Sequence, residues 1–273
     1  MRRAPVVLLA LLLAPAAGAV PTFQQLYRRH EKVQVASCLI CHTGGAGGKL
    51  NDYGRAFLKA GGDWKAFDAI AREDSDGDGA ANADEAKAGA NPGDPPSTPK
   101  KPGAWAAGIK PEDTMPLEDL AAMAPQAGRF EVREAELSAA DRAAVEKALG
   151  GAPLGPEDLV TTLYFPVNTA VTPPVRTGVI VFSADALADG LFLSGLALGA
   201  DGRVQKASGN LFAPTGRDPA KELAKQLVGK SADSPLAVGR DLKAIKGRKK
   251  FSEAAARSWR KHLLIVARLL AAP

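Results

Sequence analysis

The chain has 273 residues, a length that allows two domains. Apolar residues make up 46% and charged residues 24% of the sequence, which excludes wholesale disorder and is enough for a packed core. The formal charge of +5 falls to +3 without Arg2 and Arg3. This mild charge does not argue for nucleic acid as a partner, and two cysteines are too few for a disulfide-stapled small protein.

The first 19 residues contain the three parts of an export signal. Arg2 and Arg3 precede an apolar run over residues 4–13, and small residues follow at 17–19. Pro15 interrupts the run too early for a membrane-spanning helix, which needs roughly 20 apolar residues. The sequence therefore predicts a periplasmic protein whose signal peptide, residues 1–19, is cleaved after Ala19.

Both cysteines lie in the segment Cys38–Leu–Ile–Cys41–His42, which matches the C-x-x-C-H attachment pattern of c-type haem. Two thiols at this spacing reach the two vinyl groups of one porphyrin, and the next histidine is placed to ligate the iron. A thioredoxin-like redox pair belongs beside a βαβ unit, and a structural zinc site needs four nitrogen or sulfur ligands. The sequence predicts one covalent haem c held by Cys38, Cys41 and His42 in a first domain over residues 20–90.

The sixth ligand of the haem iron is left open by the sequence. His30, Met115 and Met123 all carry suitable chemistry, and His30 is the weak favourite among them. An open, five-coordinate iron is the remaining alternative.

An acidic segment over residues 74–85 has the ligand spacing of an EF-hand calcium loop, D-x-D-x-D-G-x-x-N-x-x-E. Ala81 stands at the eighth loop position, where an apolar branched residue would support pairing with a second loop, so a lone structural site of ~10⁻⁴–10⁻³ M affinity is expected. An acidic turn that binds nothing is the alternative. The predicted calcium ligands are Asp74, Asp76, Asp78, the carbonyl of Ala80, Asn82 and Glu85.

Eight prolines occur over residues 91–125. Prolines at this spacing predict a semi-rigid linker that contains neither helix nor strand. We therefore expect a domain boundary here, with a second domain over residues 126–273.

The second domain is predicted to contain a helix, a small antiparallel sheet and two more helices. The predicted strands span 158–165, 178–182, 191–198 and 204–207, with a hairpin turn around Asp201–Gly202. The predicted helices run from Ser138 to Gly150, from Asp218–Pro219 to Gly229, and from Ser252 to about Leu270, the last with Trp259, Leu263, Val266 and Leu270 on its apolar face. The predicted fold class is α+β, with a small α-helical haem and calcium domain ahead of an α+β domain.

Three motifs of the first domain together resemble those of exported bacterial monohaem proteins. They are C-x-x-C-H-T at Cys38–Thr43, L-N-x-Y-G-x-x-F at Leu50–Phe57, and the acidic loop Asp74–Glu85. The acidic loop also resembles thrombospondin type-3 and dockerin-type calcium repeats. The resemblance covers about seventy residues and implies a helical electron-carrier module.

From about Gly128 onward the chain resembles the FMN-binding domain family of membrane electron-transfer subunits. The resemblance rests on Ser138–Gly150, Leu198–Arg203, Gln226–Lys230, Gly239–Asp241 and the final helix. That family holds flavin at an S-G-A-T segment, often through a covalent bond to its threonine. Residues 246–249 here read Lys-Gly-Arg-Lys, and Lys249 has no hydroxyl. The resemblance implies a domain that kept the fold and lost FMN, although a basic loop before a helix can still hold a phosphate without a covalent bond.

The C-terminal stretch 238–273 carries ten basic and two acidic side chains. Arg257, Lys261 and Arg268 are predicted to share the helix face opposite Trp259 and Leu263. A solvated face explains this pattern. The sharper alternative is a docking patch for an acidic redox partner or for the lipid head groups of a membrane surface.

Taken together, these motifs predict an exported c-type cytochrome that passes single electrons to partner proteins, with structural calcium and a C-terminal docking domain. One alternative is a flavocytochrome in which noncovalent FMN feeds the haem. Another is a binding module whose five-coordinate haem takes a small gas. Catalytic residues are not predicted.

Overall fold

A computed structural model describes residues 21–33, 36–44, 48–107, 115–213 and 216–271. The predicted signal peptide lies outside these residues. Within them, no helix has both the length and the apolar character needed to cross a membrane. The fold class is α+β, as predicted, with helices packed around one antiparallel sheet.

The first part of the chain is helical and small. Its helices are α1 (Pro21–His30), a short 3₁₀ helix (Cys38–Ile40), α2 (Asp52–Lys59), α3 (Trp64–Ile70) and α4 (Asn82–Ala88). Asn51 and Asp63 cap α2 and α3, because each side chain accepts a hydrogen bond from a backbone N–H in the first turn. These helices enclose the motif core, defined here as Leu26, Tyr27, Ala36, Ile40, Tyr53, Phe57, Ala66, Phe67, Ile70 and Ala86.

The proline-rich segment contains a helix, which corrects the prediction that residues 91–125 form neither helix nor strand. Its beginning packs against the haem motif, where Asn91 Nδ2 donates to the Leu39 carbonyl at 3.2 Å. Further along, helix α5 (Leu117–Met123) begins directly after Pro116, its N-cap residue. The prediction was wrong because residues 117–124 contain no proline, and this gap is long enough for two helical turns.

The sheet contains seven strands in the described residues, all paired antiparallel. The strands are β1 (Arg129–Glu136), β2 (Val160–Asn168), β3 (Val175–Arg176), β4 (Gly178–Leu187), β5 (Gly190–Gly199), β6 (Val204–Ala213) and β7 (Gly216–Pro219). The order is β1-β2-β4-β5-β6-β7, with β3 paired to β2 beside this path. The four predicted strands are confirmed in β2, β4, β5 and β6, although the first was predicted to begin at 158 and residues 158 and 159 are helical. Strands β1, β3 and β7 were not predicted.

The remaining helices are α6 (Ala139–Ala148), α7 (Pro156–Leu159), α8 (Lys221–Ala224), a 3₁₀ helix that continues it (Lys225–Leu227), and α9 (Lys249–Ala271). The Ser138 cap of α6 is confirmed, since its side chain accepts from the Asp141 N–H. The helix predicted from Asp218 begins only at Lys221, because Asp218 and Pro219 pair with β6. The last helix starts at Lys249 instead of after Ser252, and its Leu270 is 43% exposed, whereas Leu269 is buried.

Alternate residues of the strands face two separate cores. Val179 and Val181 of β4 join Trp259 and Leu263 of α9 in one core, whereas Ile180 joins the other. The second core, called the α5 core here, contains Leu120, Met123, Ala124, Tyr164, Ile180 and Ala197. The first part of the chain adjoins this second face, since Ala184 of β4 packs against the motif core. The sheet is therefore covered on both sides.

Truncation of the α5 core should destabilise the protein. Leu120 is completely buried there, so Leu120→Ala should lower the free energy of unfolding by about 2–5 kcal/mol through lost contacts and a residual cavity. Leu117→Ala is the matched control, because Leu117 lies on the same helix and is 56% exposed. Urea unfolding measures both variants, and equal losses would contradict the packing of α5 on the sheet.

Candidate functional site

Residues Cys38–His42, called the haem motif here, form a tightly hydrogen-bonded turn. The backbone N–H groups of Cys41 and His42 both donate to the Cys38 carbonyl, at 3.2 and 2.9 Å. Asn51 Nδ2 donates to the carbonyls of Leu39 and Ile40 at 3.1 and 2.9 Å. The structure thus holds both thiols and the following histidine in one fixed turn.

The segment Leu50–Phe57 supports this turn from α2. Besides its two bonds to the motif, Asn51 accepts from the Gly54 N–H at 2.8 Å, and so joins the turn to the helix. A Cβ atom at Gly54 would lie 2.2 Å from the Cys41 carbonyl oxygen, so only glycine permits this close approach. Tyr53 and Phe57 fill the motif core. The pattern L-N-x-Y-G-x-x-F therefore has a structural explanation in contacts with the haem motif.

Both cysteines are free thiols. Gln24 Nε2 donates to Cys38 Sγ at 2.9 Å, and Cys41 packs against the motif core. Burial raises the pKa of Cys38 and raises that of Cys41 to about 12. A dithiol redox enzyme needs a thiolate with a lowered pKa, so the environment of this pair does not favour that alternative.

His42 is held in the orientation that a metal ligand needs. Its Nδ1 lies 3.0 Å from the Gly48 carbonyl oxygen, which acts as acceptor and therefore fixes the proton on Nδ1. Nε2 then carries the free lone pair, and a backbone carbonyl behind the ring is the usual outer partner of a metal-bound histidine. This arrangement, together with two free thiols in the same turn, fits a c-type haem.

A cleft of about 470 Å³ opens beside His42. Its walls come from the haem motif, from α2 and its preceding loop, and from the segment that follows α4. Trp105 closes one side, and its Nε1 donates to the Gly89 carbonyl at 3.0 Å. The lining residues are Leu39, His42, Thr43, Lys49, Leu50, Asn51, Asp52, Arg55, Asn91, Gly93, Asp94, Pro95 and Trp105.

None of the three candidates for a sixth ligand lines this cleft. His30 places its ring between Trp64 and Phe67, at centroid distances of 4.9 and 5.0 Å. Met115 and Met123 pack in or against the α5 core. The structure therefore does not bring His30, Met115 or Met123 together with His42.

The calcium loop places three aspartates around one point. One carboxylate oxygen from each of Asp74, Asp76 and Asp78 lies within 4.8 Å of the other two. Asp74 also accepts from the N–H groups of Gly77 and Gly79 at 2.8 and 2.9 Å, which folds the loop back on itself. Both glycines have positive φ angles, of 82° and 95°, so the turn depends on glycine at these positions.

Glu85 is completely buried, and neither carboxylate oxygen has a hydrogen-bond partner. Asp76 Oδ2 and Asp78 Oδ2 are likewise buried and unpartnered. Burial, together with the charges of Asp76, Asp78 and Asp74, raises the pKa of Glu85 to about 8. Unpartnered buried carboxylates are costly, and a hard divalent cation is a suitable partner for such oxygens. These residues fit a calcium ion.

Asn82 does not offer its side-chain oxygen to the loop centre. Its Oδ1 accepts from the Ser75 N–H at 3.1 Å, and its Nδ2 donates to the Ile70 carbonyl at 2.7 Å. Asn82 therefore braces the loop against α3, and its role as a direct ligand stays a prediction. In loops of this type the ninth position often acts through a water molecule, which is compatible with such bracing.

Residues 246–249, which the sequence analysis compared with the flavin-binding segment of FMN-binding domains, lie immediately before and at the start of α9. Lys246 and Lys249 are exposed, and Gly247 has a positive φ of 75°. Lys249 lies 3.9 Å from Glu253 on the same helix. Loss of FMN stays a prediction.

A buried polar cluster joins α9 to the sheet and was not predicted from the sequence. Asp185 of β4 contacts Lys261, accepts from Ser258 Oγ at 2.6 Å and lies 2.9 Å from His262 Nε2. Lys261 also reaches Asp158 at 2.7 Å. The prediction that Lys261 lies on a solvated face is wrong, because its side chain is only 18% exposed. Nothing in the sequence indicated this contact beyond a basic residue on a long helix.

The charges of this cluster reinforce one another. Burial alone would raise the pKa of Asp185, but His262 and Lys261 outweigh it and hold that pKa far below its usual range. Burial alone would lower the pKa of Lys261, but Asp185 and Asp158 outweigh it and raise the pKa. Because Lys261 already pairs with both carboxylates, we interpret this cluster as structural.

Comparison of the chain with models of known protein families, with curated proteins and with solved structures finds no match. The case for a haem site and a calcium site therefore depends on the motifs and on the geometry of their residues.

Proposed function

We propose that this chain is an exported c-type cytochrome that carries single electrons through one covalent haem. The observation that carries the proposal is His42, whose Nδ1 is bonded to the Gly48 carbonyl while Nε2 is free, in the same turn as two free thiols. Cys38 and Cys41 would hold the porphyrin through thioethers, and His42 would ligate the iron. The bound haem supplies the one-electron chemistry.

The chain's own residues fix the position of this group. Asn51 ties the motif turn to α2, and Gly54 allows α2 to lie directly against the Cys41 carbonyl. Trp105 and Leu50 provide apolar walls beside His42. Such rigid surroundings favour electron transfer, because the ligand orientation is set before the electron arrives.

A visible spectrum of the purified protein, made in a host with c-type haem maturation, tests the proposal. We expect one haem per chain that stays attached after denaturation and acid–acetone extraction. Protein that loses all its haem on extraction would contradict covalent attachment.

We propose that calcium serves a structural role next to the haem site. Helix α4 begins inside the calcium loop, and the chain that leaves α4 is bonded to the end of that helix and to the haem motif. Trp105 Nε1 bonds to the Gly89 carbonyl, and Asn91 Nδ2 bonds to the Leu39 carbonyl. A cation bound by Glu85 would therefore fix the helix from which one wall of the cleft extends.

Calcium should raise the melting temperature of the wild-type protein, and Glu85→Gln should abolish that increase. Glu85 is expected to provide two of the ligand oxygens, whereas the glutamine side chain has no negative charge to attract the cation. In the absence of metal, the melting temperature of Glu85→Gln should be no lower than that of the wild type, because the variant no longer buries an unpaired carboxylate. Thermal unfolding with chelator and with millimolar calcium measures both effects.

Glu73→Gln is the matched control, because Glu73 precedes the same loop and is exposed. It should keep the full calcium response. If wild-type melting is identical with and without millimolar calcium, the loop is only an acidic turn.

We propose that the C-terminal domain docks an acidic redox partner and binds no FMN. Arg257 and Arg268 are exposed on α9, which leaves a positive surface on that helix. Such a surface attracts acidic proteins in a salt-dependent manner, and anionic lipid head groups share this chemistry.

The purified full-length protein should release no flavin on denaturation. Lys249 offers no hydroxyl for a phosphoester bond, and the exposed Lys246 and Lys249 support only weak phosphate binding. Flavin fluorescence of the denatured, filtered supernatant measures this. One flavin per chain would replace the docking interpretation with that of a flavocytochrome.

A further inference from the structure

We propose that Gln24 is a positioning residue for haem attachment, because its side-chain amide holds the Cys38 sulfur from helix α1. The helix is itself anchored on the sheet, so the second half of the chain takes part in placing this thiol. The inference deepens the proposed function and rests on it, since it concerns one of the two thioether bonds.

One direct contact defines the orientation of the Cys38 side chain. Gln24 Nε2 donates a hydrogen bond to Cys38 Sγ at 2.9 Å, across 14 positions of the chain. The backbone of Cys38 is already fixed, because its carbonyl accepts from the N–H groups of Cys41 and His42. These backbone bonds still leave the side chain its staggered rotamers. The bond from Gln24 selects the rotamer that directs the sulfur towards α1.

The two sulfur atoms of the motif are held in different ways. Cys41 packs against the motif core, where Leu26 and Tyr27 of α1 are 4% and 2% exposed. Packing therefore restrains Cys41 whether or not Gln24 is present. Cys38, by contrast, is restrained through the hydrogen bond to its sulfur. Loss of the amide should disturb Cys38 and spare Cys41.

Helix α1 is anchored on strand β2 of the sheet. Arg29 Nη1 donates to the Val160 carbonyl and Arg29 Nη2 donates to Thr162 Oγ1, both at 2.6 Å. Gln25 also bonds to the Tyr164 hydroxyl, further along the same strand. The Arg29 side chain is only 15% exposed. These bonds to one strand fix the position and rotation of α1, and so fix the amide that faces the haem motif.

Covalent attachment requires the Cys38 thiol to add across a vinyl double bond of the porphyrin. A C–S bond and a C–H bond form while the S–H bond and the vinyl π bond break, so no group leaves and no external oxidant or reductant is needed. The held rotamer is proposed as the one that reacts, and a sulfur kept in it reaches the vinyl carbon more often than one that samples three rotamers. Gln24 thus favours the reaction by orientation and takes no part in the bond changes.

Gln24→Glu and Gln24→Leu test the inference in the full-length protein, made in a host with c-type haem maturation. Glutamate has the size of glutamine but donates no hydrogen bond when ionised, and leucine neither donates nor accepts. After brief induction, iodoacetamide labels the one unreacted thiol of denatured chains that carry haem, and peptide fragmentation assigns it to Cys38 or Cys41. The ratio of label on Cys38 to label on Cys41 should rise by about threefold in both variants, because three equal rotamers dilute one productive direction by that factor. A general loss of stability would lower attachment at both cysteines and leave this ratio unchanged.

Gln25→Leu is the matched control, because Gln25 is the next residue of α1 and bonds to Tyr164 instead of the haem motif. Arg29 still anchors the helix in this variant, so the ratio should equal that of the wild type. If the wild type carries no covalent haem, the proposed function fails. If covalent haem is present and the ratio is unchanged in both Gln24 variants, only the inference is overturned. An equal rise in Gln25→Leu would also overturn it, since the packing of α1 and not the amide would then place the thiol.

Discussion

The double variant Cys38→Ser, Cys41→Ser should carry no covalently bound haem. These residues are all the cysteines of the chain, and both are free thiols held in one turn by bonds to the Cys38 carbonyl. A hydroxyl does not form the thioether, so loss of attachment should be complete. Haem-dependent peroxidase staining of denatured protein on a gel measures the effect in a host with c-type maturation.

His30→Gln is the control for this experiment. It lies outside the motif and keeps a polar side chain beside Glu31 and Asp68, so staining should equal that of the wild type. Unchanged staining in the double cysteine variant would overturn the haem assignment, whatever the optical spectrum of the native protein.

Local chemistry made the start of α6 and the positions of four strands predictable. Ser138 caps α6 because its hydroxyl acts within one turn of chain. The four predicted strands carry β-branched and aromatic residues over short runs. Strand β1 was missed because its sequence Arg-Phe-Glu-Val-Arg-Glu-Ala-Glu is dominated by charge, as suits an edge strand.

Features that depend on distant partners could not be predicted in this way. Asn82 fits a ligand pattern by spacing, yet its amide is bonded to Ser75 and Ile70. Met123 has ligand chemistry, but the sheet buries it in the α5 core. Lys261 meets Asp185 across 76 positions of chain, and no local pattern indicates that contact. Sequence periodicity places a side chain on a face, whereas its partner is decided by the tertiary fold.

Asp185→Ala should lower the free energy of unfolding by about 3–5 kcal/mol, the range expected when one partner of a buried ion pair is removed. Asp185 is 11% exposed, accepts from Ser258, is the ionic partner of Lys261 and lies 2.9 Å from His262 Nε2. Without it, His262 and Ser258 lose their partner, and Lys261 keeps only Asp158. Urea unfolding at neutral pH measures the loss.

Asp189→Ala is the matched control, because Asp189 is exposed in the turn that follows β4. This change should cost less than about 0.5 kcal/mol. Asp185→Asn should lie between the two, since the amide oxygen still accepts a hydrogen bond but does not attract the Lys261 ammonium. A loss in Asp185→Ala no larger than that of the control would show that the cluster does not stabilise α9 on the sheet.

The destabilisation by Asp185→Ala should also depend on pH, with a sign fixed by the lowered pKa of Asp185. A carboxyl whose pKa is lower in the folded than in the unfolded state stabilises the fold above its unfolded pKa of about 3.9, and this contribution is lost as the pH falls through that value towards the folded pKa. The difference between wild type and Asp185→Ala should therefore be constant near neutral pH and shrink steadily below about pH 4. Unfolding curves of both proteins across this range measure it. If the difference stays constant down to about pH 2, Asp185 stabilises the fold only through packing and hydrogen bonding. In that case its ionised carboxylate adds nothing to the free energy of unfolding.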